Sequence, residues 1–180
     1  MFRKLSIFLL RNWQKSEFPE IEKAIVLMAP HTSMWDFYYG KLYFATNNIK
    51  PLFLIKKEVF VWIIAPILKK LGGVPVDRGK SRGGVAQNII DAFKNNEKMM
   101  LVITPEGTRH KTKNWKKGFI KIAKEANIPV ICGYIDYEQR KMGIFDSPFL
   151  DLSGSDDDIM KNLKSKYLNV KGAYPENFTT

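Results

Sequence analysis

Ile25-Val-Leu-Met-Ala-Pro-His-Thr-Ser-Met-Trp-Asp-Phe37 sets the reading of the whole chain. Its first five residues are apolar without alternation, the pattern of a strand covered on both faces. Pro30 ends that run, and Thr32 or Ser33 offers a hydroxyl cap for a helix over Met34 to Thr46. A strand leading directly into a helix is the unit of an α/β domain. The same stretch places His31 five residues before Asp36, just beyond the strand's carboxyl end. A carboxylate that holds an imidazole in one tautomer is what a general base requires.

Outward from this unit the alternation continues. Leu52 to Ile55 and Val74 to Val76 are expected strands, with a helix from Val59 to Leu71, kinked or broken at Pro66, between them. Ser81 to Asn95 has Val85, Ile89 and Phe93 along one helical face, and Met100 to Thr104 is a strongly apolar strand. Trp115 to Ala126 is expected to be a helix with Phe119, Ile122, Ala123 and Ala126 inward. Pro129 to Tyr137 and Lys141 to Phe145 are late strands, and Asp156 to Tyr167 is a final helix opened by the acidic triplet Asp156-Asp-Asp158. The expected fold is therefore one α/β domain over residues 1–180, with a mostly parallel central sheet flanked by helices. In such sheets the chemistry sits on loops beyond the strands' carboxyl ends. His31, Arg78 and Glu106 each fall at such a place.

A chain of 180 residues is long enough for one full core. Its 29 basic and 18 acidic residues leave a net charge of +11, which draws nucleic acid, anionic lipid headgroups, acidic proteins or phosphorylated substrates. The lysines are scattered and no nucleic-acid motif is present, which argues against the first of these. Cys132 is the single cysteine and lies in an apolar run, so it is expected to be a buried thiol with no disulfide partner. The two histidines are far apart, without metal-ligand spacing, and no metal is expected. A Gly-x-Ser-x-Gly elbow is missing, which disfavours a serine hydrolase. No stretch reaches the ~20 apolar residues of a membrane span, and the N-terminus lacks the small-residue cleavage site of a secretory signal. Residues 1–18 instead predict an amphipathic helix, with Phe2, Leu5, Phe8, Leu9, Leu10 and Trp13 opposite Arg3, Lys4, Arg11, Gln14 and Lys15. Such a helix either lies in a membrane interface or packs on its own domain.

Three further segments accompany the histidine. Gly72-Gly-Val-Pro-Val-Asp-Arg78 runs into Gly79-Lys-Ser-Arg-Gly-Gly84, a basic, glycine-rich helix start that suits an anion. In Thr104-Pro-Glu-Gly-Thr-Arg109, Gly107 permits a tight turn, while Glu106 and Arg109 offer an acceptor for hydroxyls and a fork for phosphate oxygens. Asn127-Ile-Pro-Val-Ile131 is, taken alone, structural.

In this order the four blocks resemble the glycerolipid acyltransferase family, which includes bacterial 1-acylglycerol-3-phosphate acyltransferases. The family's His-x4-Asp is matched at His31 and Asp36, its Pro-Glu-Gly-Thr-Arg letter for letter at Pro105 to Arg109, and its arginine-ended block by Val74 to Arg78. Ile128-Pro-Val-Ile131 is similar to the weak fourth block. The resemblance implies a glycerol-3-phosphate acyltransferase-like fold and transfer of a fatty acyl group from acyl-CoA or acyl carrier protein to a lysolipid hydroxyl, with no bound cofactor. It implies His31 as base, Asp36 as its orienting group, and Arg78, Glu106, Gly107, Thr108 and Arg109 as binders of the acceptor phosphate, with Lys80 or Lys116 assisting. It further implies a cytoplasmic protein at the inner face of the cell membrane, although the transmembrane segments of many members are missing. Trp35, Phe37, Tyr38, Tyr39, Tyr43 and Phe44 crowd the helix after the histidine, either as core or as lining of an acyl or headgroup pocket. A lyso-aminolipid acceptor, or a basic module that binds membrane or nucleic acid without catalysis, are the alternatives.

Overall fold

The strand Lys23–Met28 occupies the middle of a seven-stranded sheet, and every residue from Ala24 to Met28 is buried. In the computed structural model, which describes residues 2–76 and 84–180, the elements follow as α1 (Phe2–Leu9), β1 (Gln14–Lys15), β2 (Lys23–Met28), α2 (Trp35–Thr46), β3 (Leu52–Lys56), α3 (Ala65–Lys70), β4 (Gly73–Val76), α4 (Gly84–Asn95), β5 (Met99–Ile103), α5 (Gly118–Ala126), β6 (Val130–Asp136), β7 (Lys141–Phe149) and α6 (Asp156–Ser165).

Side chains alternate across a strand, so β2 feeds two cores. Ile25 and Leu27 pack with Ile90 and Phe93 of α4, Phe119 and Ala123 of α5, and Leu163 of α6. Ala24, Val26 and Met28 pack on the other face with Leu10 and with Leu42, Tyr43 and Phe44 of α2. Both faces are therefore covered, as the unbroken apolar run of β2 predicts.

The sheet order is β1-β7-β6-β2-β5-β3-β4. Strands β2 to β6 are mutually parallel where they pair, β7 is antiparallel to β6, and β1 runs parallel to β7. From β2 the chain moves outward to β3 and β4, returns as β5 beside β2, then crosses to β6 on the far side. Leu27 is level with Ile103 of β5 and with Cys132 of β6. The carboxyl ends of β5, β2 and β6 thus deliver three loops to one edge, at the point where the strand order reverses.

Several boundaries depart from the sequence expectation. The helix expected over residues 1–18 stops at Leu9. Leu10 is fully buried, and Gln14 N–H and Ser16 N–H donate to Arg140 and Met142 carbonyls, so the sheet edge captures this segment as β1. The helix expected from Val59 begins only at Ala65, with Pro66 in its first turn. Proline has no N–H to leave unsatisfied there, so it starts the helix rather than kinking it. Trp115 does not open α5. It is buried against Tyr167 and Phe178, and its indole N–H donates to the Thr179 carbonyl. At α6, Ser155 and Asp158 form a reciprocal capping box, which explains the acidic triplet as a helix start.

Candidate active site

Beyond Met28 the chain passes through a cis Ala29–Pro30 bond and reaches His31. Asp36, in the first turn of α2, reaches back over this loop. Its Oδ2 accepts hydrogen bonds from Thr32 N–H and Ser33 N–H, both at 2.8 Å, and lies 3.1 Å from His31 Nδ1. An ionised carboxylate only accepts, so Nδ1 carries the imidazole proton and Nε2 keeps its lone pair. The amino end of α2 also favours the negative charge. Ser33 Oγ accepts from Trp35 N–H at 3.1 Å, while the Thr32 hydroxyl turns away to accept from Tyr174 N–H at 3.1 Å. Of the two capping candidates, Ser33 braces the helix start and Thr32 ties the loop to the C-terminal segment.

The other oxygen of Asp36 has a partner absent from all four sequence blocks. Tyr137 Oη donates to Oδ1 at 2.7 Å. Tyr137 lies one residue past β6, edge-on against Trp13 and Tyr39, and its N–H donates to the Lys171 carbonyl. Burial, then the adjacent Asp36 charge, pushes its pKa upward, so it remains a donor. The only sequence signal for it is its position beyond the strand on the other side of β2.

Glu106, expected from the sequence to bind acceptor, points into the protein. Gly107, at φ +65°, turns the chain, and its N–H donates to the Thr104 carbonyl. This sends Glu106 inward and Arg109 outward. Glu106 is buried, and its Oε1 accepts from His31 N–H at 2.8 Å, while Oε2 has no hydrogen-bond partner among the described residues. Burial raises its pKa from an ordinary 4.5 to about 7, against the opposing effect of its hydrogen bonds. Its carboxyl does not border the cavity beside His31. Glu106 therefore fixes the backbone of His31, and the sequence offers no means of telling an inward carboxylate from an outward one.

That cavity measures about 490 Å³. His31 and Asp36 border it, as do Gly107, Thr108, Arg109 and His110, and Phe37, Gly40, Phe44, Phe53, Val102 and Ile135 add apolar lining. Gly40 is buried, yet a Cβ there would meet nothing within 4 Å, because the space beside it is the cavity itself. Arg109 is exposed, and no hydrogen bond or ion pair among the described residues occupies its guanidinium. The aromatic helix divides accordingly: Tyr43 and Phe44 are core, Phe37 and Phe44 line the cavity, and Trp35 and Tyr38 are exposed.

Arg78 and Lys80 lie outside the described residues. Lys116 is exposed, and its N–H donates to the Pro105 carbonyl, bracing the Glu106 turn through the backbone. Cys132 is fully buried, and burial pushes its thiol up to about 11, so it is no nucleophile. Ile128 and Val130 are buried packing residues of the apolar core.

The family model described as acyltransferase matches residues 11–136, a span that includes His31, Asp36 and Glu106 to Arg109. Among solved structures, the crystal structure of the 1-acyl-sn-glycerophosphate (LPA) acyltransferase PlsC from Thermotoga maritima superposes with a TM-score of 0.62 at 16% identity. That match covers 96% of this chain and 80% of the other. At this identity the likeness is one of fold. No curated protein matches the sequence significantly.

Proposed function

We propose, from the premise that this chain belongs to the acyltransferase family, that it moves a fatty acyl group from an acyl thioester to the hydroxyl of a lysolipid such as 1-acylglycerol-3-phosphate. The observation that carries this reading is the commitment of His31 Nδ1 to Asp36 beside an apolar cavity bordered by an arginine that has no partner among the described residues.

In this mechanism Nε2 of His31 takes the proton of the acceptor hydroxyl as its oxygen attacks the thioester carbonyl carbon. The new C–O bond forms, the tetrahedral intermediate collapses, and the C–S bond breaks. The leaving thiolate takes the proton back from the imidazolium, so His31 ends the cycle neutral. Asp36 holds the ring and stabilises its charged state, and Tyr137 and the Thr32 and Ser33 amides hold Asp36. A thioester is already activated, so a positioned base and a bound acceptor suffice without a serine intermediate. Arg109 and the Gly107–Thr108 turn receive the acceptor phosphate, joined by Arg78, while the apolar wall receives an acyl chain. The donor is acyl-CoA or acyl carrier protein, both acidic and both suited to a surface of net charge +11.

No helix among the described residues is long and apolar enough to cross a membrane. α1 packs inward by Ser6 and the following Leu10, and Arg3 Nε donates to the Thr46 carbonyl at 3.0 Å, leaving Phe2, Leu5, Phe8 and Leu9 exposed. That outward apolar face supports attachment to the inner face of the cell membrane. The test is an assay of labelled acyl transfer from both donors to a panel of lysolipids. Acylated 1-acylglycerol-3-phosphate is the expected product; labelled free fatty acid with no acylated lysolipid would contradict the reading.

A further inference from the structure

From Val61 into the first turn of α3 the chain is apolar and bare. Val61, Trp62, Ile63, Ile64 and Ile67 are all exposed, Trp62 by 84% and Ile63 by 63%. Surface connections are ordinarily polar, and apolar residues clustered on an exposed segment mark a surface that something else covers. Three observations select the occupant. The segment is flanked by Lys57, Lys69 and Lys70, all exposed, and Glu58 is the one acidic residue between positions 57 and 70. An apolar apex carrying a tryptophan between lysines suits an anionic bilayer, the apex among acyl chains and the ammonium groups among headgroups. The segment also adjoins the cavity: Val59 and Leu68, which bracket it in sequence, both border that space, as does exposed Met34. Finally, a second copy is a poor occupant, because two chains of net charge +11 would oppose basic rims.

We propose that residues 59–67 insert into an anionic lipid bilayer as an anchor separate from α1, so that the cavity opens directly onto the lipid phase. What enters the cavity rests on the lysolipid reading; the attachment itself does not.

Flotation with vesicles of phosphatidylglycerol and phosphatidylcholine, together with tryptophan emission, tests this. Wild type is expected to float with the anionic vesicles and to show a blue-shifted emission. Trp62→Phe should float equally but lose most of that shift, which assigns the shift to the tip rather than to α1. The triple variant Trp62→Ser/Ile63→Ser/Ile67→Ser should bind about tenfold more weakly. Its thermal transition and its turnover of a water-soluble short-chain acceptor should be unchanged. Lys69→Glu/Lys70→Glu should lose the preference for phosphatidylglycerol over pure phosphatidylcholine. Undiminished binding by the triple variant, failure of wild type to float, or a concentration-dependent dimer abolished by the triple variant would each overturn the proposal. Vesicle binding without any acyl transfer would leave it standing and remove the lysolipid reading instead.

Discussion

The loop around His31 and the segment around Trp62 border one cavity and are built in opposite ways. Hydrogen bonds fix the histidine loop from several sides. Asp36 accepts from Thr32, Ser33, His31 and Tyr137, and the His31 amide is tied to Glu106. Around Trp62 the chain has a single turn of 3-10 helix (Lys57–Val59), a short helix, and exposed apolar side chains. The roles proposed for each account for the difference. A proton transfer requires atoms held within a few tenths of an ångström, so the histidine loop is over-determined by hydrogen bonds. A fluid lipid surface has no fixed atoms to match, so area and charge suffice on the rim.

Substitutions can break this contrast, and the largest effect belongs to the histidine loop. His31→Ala should lower transfer about 10³-fold while leaving circular dichroism and the thermal transition near wild type. Near-normal turnover by the purified variant would remove the base from the scheme. Asp36→Asn should cost nearly as much, about 10³-fold and mostly in kcat, because an amide can donate toward Nδ1 and favour the wrong tautomer; an effect confined to KM would assign Asp36 to substrate binding.

Glu106 tests the contrast through stability. Its carboxyl binds its proton more tightly in the folded chain, from an ordinary 4.5 to about 7. The folded state therefore holds a proton that the unfolded state has released, and stability falls as pH rises through that interval. Relative to Glu106→Gln, wild type should lose roughly 2 to 3 kcal/mol between about pH 5 and pH 8 in denaturant titrations. A pH-independent difference between the two proteins would mean that Glu106 is not held in this buried state. Tyr137→Phe removes one hydrogen bond to a charged group and should cost about tenfold in kcat with KM unchanged; an unchanged kcat would make Tyr137 a packing residue only. The smallest effect is on the cavity wall. Gly40→Leu should fill the space beside α2 and shorten the preferred acyl chain, with turnover of the shortest donors within about twofold of wild type. An unaltered chain-length profile would place the acyl chain elsewhere.

Much of the chemistry is local in sequence, which is why it can be read there. β2, the His31–Asp36 spacing and the tight turn at Gly107 each depend on residues within a few positions of one another. Tyr137 is 101 residues from Asp36, and only the placing of β6 beside β2 brings them together. Glu106 is recognisable in sequence as a candidate, but its inward direction depends on the His31 amide 75 residues away. Likewise α1 gives way to β1 because β7 offers an edge to pair with, which no periodicity in residues 1–18 reveals. The segment at Trp62 satisfies a helical pattern yet folds mostly as turn, because Pro66 can begin a helix more readily than continue one.

The tautomer of His31 offers the most direct measurement. With His110→Gln removing the other histidine, nitrogen NMR of the labelled protein, above the pH at which the ring is protonated, reports which nitrogen bears the proton. The hydrogen on Nδ1, with an unprotonated Nε2 beside the cavity, is the predicted result, and it should be lost in Asp36→Asn. A proton on Nε2 in the wild-type ring would contradict a general base at that atom.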